Sequence, residues 1–161
     1  MSVTCELFQL DEAKIAECLA IPDQLMVDLE EGIWEEADRA TLGEAWHIIH
    51  FLLTGTENFS DWPLGFLFSG GEVIEEAIVG YEPVRILQPE QVKEVDATLS
   101  KMDTQKLFAQ HGSQAMLEAE ELYPDHWKAF QKVYFIQAFE TLRNFMQAAT
   151  LRQNGILIVY I

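Results

Sequence analysis

The chain has 161 residues, of which 49% are hydrophobic and 23% are charged, and its formal net charge is −17. This length and composition predict a single globular domain and argue against a disordered chain. Residues 1–161 contain no apolar run long enough to span a membrane, and the first ten residues do not resemble a secretory signal. We therefore expect a cytoplasmic protein whose two cysteines, Cys5 and Cys18, are buried free thiols.

The negative charge is concentrated in the first third of the chain. Residues 1–61 contain fourteen acidic residues and only two basic ones, Lys14 and Arg39, which makes a net charge of −12. Such a surface repels phosphate groups, so neither a nucleic acid nor an anionic membrane is an expected partner. It would attract a basic protein, although the need for solubility explains the same charge without any partner.

The first elements follow from alternating and helical apolar patterns. Val3–Phe8 alternates and predicts a strand. Asp11 can cap a helix over residues 11–20, and Pro22 can open a second helix over residues 22–31. Trp34 follows within a dense acidic stretch, where it is either anchored in the core or exposed as a contact residue.

The segment Trp46–Thr54 is predicted to be a buried helix, because it is apolar nearly all the way round. Thr41 and Glu44 have the spacing of a capping box before it, and Gly55 suits a left-handed cap after it. The helix nevertheless contains two histidines, His47 and His50. Buried histidines need hydrogen-bond partners, so this helix is either a core element or the wall of a site.

The rest of the chain predicts helices and two further strands. Residues 56–71 are rich in aromatic residues and glycine, which is typical of a packed surface loop or of a lid facing a ligand. The later elements are a strand at 84–87, helices at 89–99, 103–108 and from 113, a long helix at 125–151, and a buried strand at 156–161. The predicted fold is α+β: one mostly helical domain, residues 1–161, with a small sheet of about three strands, N-terminal, mid-chain and C-terminal.

Several short segments form a characteristic combination along the chain. They are Ala45-Trp46-His47, His50–Gly55, Gly70-Gly71, Gly80-Tyr81, Val84–Leu87 with Pro89 and Val92, and Leu122–Pro124 with Trp127. Together they resemble the YfbM-like family, also called domain of unknown function 1877, over essentially the whole chain. That family usually has an acidic and then a basic residue just before the tryptophan, where Gly43-Glu44 stands here. The resemblance implies a single bacterial α+β domain without an established activity.

Catalytic and metal chemistry are not supported by the motifs. His47 and His50 could supply two metal ligands, with Glu44 or His126 as a third, but no established metal-binding spacing accompanies them. There is no nucleophile elbow and no glycine-rich phosphate loop. We therefore predict no catalytic residue, no metal and no cofactor. Arg85, in a strand-like setting, either binds a substrate anion or pairs with one of the many carboxylates.

Two hypotheses of function remain. The first is a non-enzymatic interaction domain, immunity-like in one concrete form, whose acidic residues bind a basic protein partner; the residues that would carry it are Glu30, Glu31, Glu35 and Glu36. The second is a small-molecule-binding protein or enzyme with a pocket beside the Trp46–Thr54 helix. The side chains expected to line that pocket are His47, His50, Tyr81, Arg85 and Tyr123.

Overall fold

The structure is a computed structural model, and it describes residues 2–161. Its strands are β1 (Cys5–Leu10), β2 (Arg39–Gly43), β3 (Glu72–Ile78), β4 (Pro83–Leu87) and β5 (Gly155–Tyr160). Its α-helices are α1 (Glu12–Ala20), α2 (Pro22–Glu31), α3 (Trp46–Thr54), α4 (Pro89–Ser100), α5 (Thr104–Phe108), α6 (Gln114–Glu118) and α7 (Lys132–Leu151). Short 3₁₀ turns lie at Glu36–Asp38 and Trp127–Ala129.

The strands form one antiparallel sheet in the order β2-β1-β5-β4-β3. The two ends of the chain meet at its centre, where β1 pairs with β5 from Cys5 opposite Tyr160 to Leu10 opposite Gly155. All six residues of β5 are buried, as expected for a strand covered on both faces. The α+β class is confirmed, but the prediction of about three strands is too low.

The two unpredicted strands are the edges of the sheet, and neither has a strand-like sequence. In β3 the buried residues Ile74 and Ala77 are three positions apart, and its pairing with β4 is irregular between Ile74 and Ile78. That spacing hides the two-residue period by which a strand is recognised. β2 contains Arg39, Ala40 and Gly43, and its one aliphatic residue larger than alanine is Leu42. Both strands therefore depend on a paired neighbour rather than on their own propensity.

Helices cover both faces of the sheet. One face carries a cluster that includes Leu10, Ile74, Val84 and Val159 and that packs against α1 and α2. The other face carries the larger core, built by residues of β1, β4 and β5 together with α3, α4 and α7. Within residues 2–161, no helix combines the length and the apolar character that crossing a bilayer would need.

Most predicted helix ends are confirmed. Asp11 accepts the main-chain N–H of Lys14, and Pro22 is the first residue of α2. Gly55 ends α3 with a φ of 77°, the left-handed conformation that glycine adopts without strain. Asp103 and Ser113 cap α5 and α6 in the same way as Asp11.

Two predicted helix starts are wrong. Thr41 does not cap α3, because it lies within β2 opposite Glu6, and α3 instead begins after Ala45 without a side-chain cap. The last helix begins at Lys132 rather than near residue 125, since residues 127–129 form a separate 3₁₀ turn. In both places the apolar pattern continues across a change of backbone conformation, so periodicity alone does not reveal the boundary.

Candidate functional site

Helix α3 places the residues that the sequence singled out. Seven of its nine residues are buried, among them both histidines. Trp46, at its first position, stays partly exposed and donates its indole N–H to the carbonyl of Val3 at 2.9 Å. The helix therefore places the indole of Trp46 at the surface and the imidazoles of His47 and His50 in the interior.

His47 has both ring nitrogens in use. Nδ1 accepts the main-chain N–H of Tyr123 at 2.9 Å, so Nε2 carries the proton and donates it to the carbonyl of Glu57 at 2.7 Å. Burial lowers the pKa of His47 below its usual range. The imidazole is thus a neutral connection between the loop after α3 and the segment before α7.

His50 has a similar role, a single turn further along the helix. Its Nε2 donates to the carbonyl of Asn58 at 2.7 Å, and its ring meets Phe68 edge-on with 4.3 Å between centroids. Burial lowers its pKa to about 4, and Nδ1 is enclosed without a partner among residues 2–161. His50 is therefore neutral and inside the core, which is one of the two roles that the sequence left open for this helix.

Arg85 is buried and bonds to main-chain oxygens. One terminal nitrogen donates to the carbonyl of Gly70 at 2.7 Å, and the other donates to those of Phe66 and Leu67 at 3.0 and 2.8 Å. The expected pairing with a carboxylate is therefore wrong for the section of the chain that the structure describes. Arg85 instead fixes the conformation of residues 66–70.

The aromatic loop, residues 56–71, is packed at its centre. Phe66 and Leu67 are fully buried. Gly70 and Gly71 have φ values of 90° and 80°, and a Cβ on Gly71 would lie only 2.3 Å from the carbonyl oxygen of Ile86. This close approach to β4 explains Gly71, whereas a Cβ on Gly70 would meet the ring of Trp62 at 2.4 Å. Phe68 packs on His50 of α3, and Phe59, which is 73% exposed, packs on Phe68 with 5.3 Å between ring centroids.

A partly open cavity of about 180 Å³, here called the aromatic cavity, lies where β1 begins and β5 ends. Its lining residues are Val3, Trp46, Phe68, Tyr81, Glu82 and Tyr160. The rings of Phe68 and Tyr160 meet that of Trp46 at 61° and 60°, with centroids 5.5 and 4.9 Å away. Glu82 is the one charged side chain among the six.

Of the five residues predicted to line a pocket, Tyr81 alone lines the aromatic cavity. It lies in the turn between β3 and β4 and is 46% exposed. Tyr123 stacks on Trp46 with 6.1 Å between centroids, and its hydroxyl accepts the N–H of Val3. His47, His50 and Arg85 support the neighbouring loops. Sequence reasoning missed Trp46, Phe68, Glu82 and Tyr160 because they come from four separate segments.

The second predicted site is on the surface. Glu30, Glu31, Glu35 and Glu36 are all exposed, and Ile33 between them is 49% exposed. Trp34 lies under this stretch, where it donates its indole N–H to the carbonyl of Gln9 and packs on Phe8. Residues 30–36, here called the acidic segment, therefore present their charges outward around a tryptophan turned toward the sheet.

Among residues 2–161, no three histidine, cysteine or carboxylate side chains are arranged to hold a metal ion. Both cysteines are buried and free. His47 and His50 are engaged with main-chain groups, and neither hydrogen-bonds to a thiol or hydroxyl nucleophile within those residues. What the structure offers is a cavity lined by aromatic residues and a charged surface.

The comparisons with known proteins establish the family. The model of a domain of unknown function, DUF1877, matches residues 1–159, so this chain belongs to the DUF1877 family. The chain is similar to the crystal structure of YfbM from Escherichia coli, itself described as a protein of unknown function. The two are 21% identical, with a TM-score of 0.70 over 98% of this chain and 99% of that one. At this identity the likeness concerns the fold, and the expected YfbM-like fold is confirmed. No curated protein matches the chain.

Proposed function

We propose that this chain is a non-catalytic interaction domain whose acidic segment binds a basic protein partner. The observation that carries the proposal is the arrangement of four exposed glutamates around the exposed side chain of Ile33. Ile33 offers an apolar contact in the middle of this charged surface. The carboxylates would attract the partner and orient it, and the apolar contact would hold it.

Nothing in the described residues, 2–161, neutralises these charges. None of the four glutamates forms an ion pair with lysine or arginine there. Lys14, one of the two bases in residues 1–61, is bonded to Asp28 and Glu17 instead. Four unpaired carboxylates so close together repel one another, and a bound cationic surface would relieve that repulsion.

Neighbouring surface extends the same character. Helix α2 packs against β3, and β3 adds exposed Glu72, Glu75 and Glu76. Val27 on α2 and Val73 on β3 are also more than 40% exposed. The acidic segment thus belongs to a broader surface on which carboxylates and apolar side chains alternate.

The test compares two variants of equal charge. The first carries Glu30→Gln, Glu31→Gln, Glu35→Gln and Glu36→Gln; the control carries the same change at exposed Glu90, Glu94, Glu118 and Glu120. Immobilised protein is exposed to an extract of its source cells at low salt and then eluted with increasing salt. We expect a basic protein that the wild type and the control retain and that the first variant releases. Equal retention by both variants, or the absence of any salt-sensitive partner, would contradict the proposal.

A second candidate function is small-molecule binding beside α3. The observation that favours it is the aromatic cavity, in which Trp46 of that helix contributes to the wall. The histidines and Arg85 would then act indirectly, by holding the loops that carry Phe68 and Tyr123. This candidate involves no residue of the acidic segment, so the two can be tested separately.

A further inference from the structure

We infer that the aromatic cavity binds the head group of a small quaternary ammonium compound. The inference specifies the ligand class of the second candidate function and is independent of the acidic segment. It depends on four properties of the cavity: its walls, its hydrogen-bonding capacity, its charge and its size.

The walls are suited to a cation. Four of the six lining residues are aromatic, and the face of an aromatic ring attracts a cation within about 6 Å of its centre, most strongly when the ring is an indole. The rings of Phe68 and Tyr160 both stand at about 60° to that of Trp46. A guest in the corner between them would contact rings that are not parallel, which is the arrangement of a cage that surrounds a methylated ammonium.

The polar ends of two of these rings are already occupied. The indole N–H of Trp46 donates to Val3, and the hydroxyl of Tyr160 donates to the carbonyl of Leu67. These bonds fix the rings before any ligand arrives, which reduces the entropy that binding loses. They also leave few hydrogen-bonding groups for a guest. A quaternary ammonium has no N–H that needs a hydrogen-bond partner, so its transfer from water into the cavity costs less free energy than that of a primary amine.

The charge at the mouth of the cavity is negative. Glu82 is exposed and lines the wall, where it is the one charged side chain. The positive charge of Arg85, near Tyr160, opposes the entry of a cation. Its guanidinium donates to three main-chain carbonyl oxygens, whose partial negative charges weaken this effect. A net charge of −17 on the whole chain adds to the attraction.

The size fits a head group. The cavity is about 180 Å³, and an apolar protein cavity of roughly 150 Å³ is known to accommodate benzene. Choline has about as many non-hydrogen atoms as benzene. A larger depression of about 540 Å³ beside α4 is lined by charges of both signs, Glu12, Glu90 and Lys93, and has no aromatic wall. It indicates no ligand class.

The experiment follows the indole N–H resonance of Trp46 by NMR while choline chloride is added to about 20 mM, far above the millimolar dissociation constant expected for so small a contact. Sodium chloride at the same ionic strength is the salt control. Dimethylbutanol, in which carbon replaces the nitrogen of choline, is the neutral isostere. We expect choline to shift the resonance in a saturable way and the isostere to bind at least about 5-fold more weakly, because only the cation gains from the rings and from Glu82.

Two variants identify the origin of the selectivity. Tyr81→Leu keeps an apolar side chain but removes one ring, and Glu82→Gln removes the charge; each should weaken choline binding about 3- to 10-fold and leave the isostere unchanged. Glu75→Gln, an exposed carboxylate outside the cavity, is the matched control and should bind choline as the wild type does.

The possible failures are distinguishable. Equal binding of choline and its isostere, or unchanged choline binding in both cavity variants, would overturn the cation inference while leaving a small-molecule cavity. No saturable shift with either compound would overturn both the inference and the second candidate function. The proposed protein partner is unaffected by these outcomes, since its test uses residues outside the cavity.

Discussion

His47 and Tyr123 are 76 positions apart in the sequence, and the main-chain N–H of Tyr123 donates to Nδ1 of His47 at 2.9 Å. The same imidazole donates through Nε2 to the carbonyl of Glu57. One neutral side chain therefore joins helix α3 to two loops. The rings of Trp46 and Tyr123, which stack beside the aromatic cavity, owe some of their positioning to this connection.

We expect His47→Phe to destabilise the fold without changing its architecture. Phenylalanine matches the ring in size but leaves a partly buried N–H and a partly buried carbonyl unpaired, which costs about 1–3 kcal/mol in the free energy of unfolding. Urea denaturation of the wild type and of the variant measures this loss of stability. His126→Gln is the control, because the side chain of His126 is 60% exposed; equal destabilisation by both would show that the two bonds of His47 are unimportant.

The stability of the wild type should fall as the pH is lowered from about 6.5 to about 4. The pKa of His50 is lowered to about 4 by burial, whereas the unfolded chain has the ordinary value near 6.5. In that interval the unfolded state binds the extra proton, so acid favours unfolding, by about 3 kcal/mol in total for this residue. The lowered pKa values of His47 and His111 act in the same direction.

Urea unfolding at a series of pH values, in the wild type and in His50→Phe, isolates the contribution of His50. The carboxylates titrate in both proteins and cancel in the difference. The variant should show a weaker loss of stability across this interval. An identical pH dependence in the two proteins would refute the assignment of a buried neutral imidazole.

Arg85→Lys should destabilise the protein although it conserves the charge. A lysine ammonium is a compact donor and cannot reproduce the planar fork that reaches the carbonyls of Phe66, Leu67 and Gly70. We expect a loss of about 1–3 kcal/mol, because the buried carbonyl of Phe66 is left without a donor, whereas that of Leu67 keeps the hydroxyl of Tyr160. Arg152→Lys, at a side chain that is 52% exposed, should change stability by less than about 0.5 kcal/mol. Thermal and urea unfolding of the two variants give the comparison.

Neither cysteine should react with a thiol reagent while the protein is folded. Burial raises the pKa of Cys5 far above its usual range and that of Cys18 to about 11, so little thiolate exists at pH 8 and both sulfurs are enclosed. Titration with a disulfide reagent should detect no thiol in native protein and two in urea. Rapid reaction of either thiol in the native state would show that its side of the core opens.

The long apolar patterns of this chain were sufficient to predict its main elements. β1, α1, α2, α3, α4 and β5 lie close to where the sequence indicated them, since each has an alternating pattern, a cap, a proline or a continuous apolar run of its own. β2 and β3 were missed because their pairing, and not their composition, makes them strands. Thr41 was misassigned for the same reason: its spacing to Glu44 is that of a capping box, but the pairing of β2 with β1 makes it a strand residue.

The candidate site was predicted only incompletely. Tyr81 reaches the aromatic cavity, and the four glutamates of the acidic segment are exposed. Arg85 could not be assigned in advance, because its partners are main-chain oxygens of a loop nearly twenty residues earlier, and carbonyl groups leave no mark in a sequence. The sequence left the histidines open between the core and the wall of a site, because their partners, Glu57, Asn58 and Tyr123, depend on how two loops cross α3.

The sequence by itself determined the family, the α+β class, the ends of most helices and the concentration of negative charge, because these follow from local patterns of apolar, capping and charged residues. Only the tertiary structure decided which rings meet. Val3, Trp46, Phe68, Tyr81 and Tyr160 come from separate regions of the chain, and they converge because β1 and β5 pair at the centre of the sheet while α3 and the aromatic loop pack against that pair. A cavity of this kind is a property of long-range contacts, which no short stretch of sequence contains.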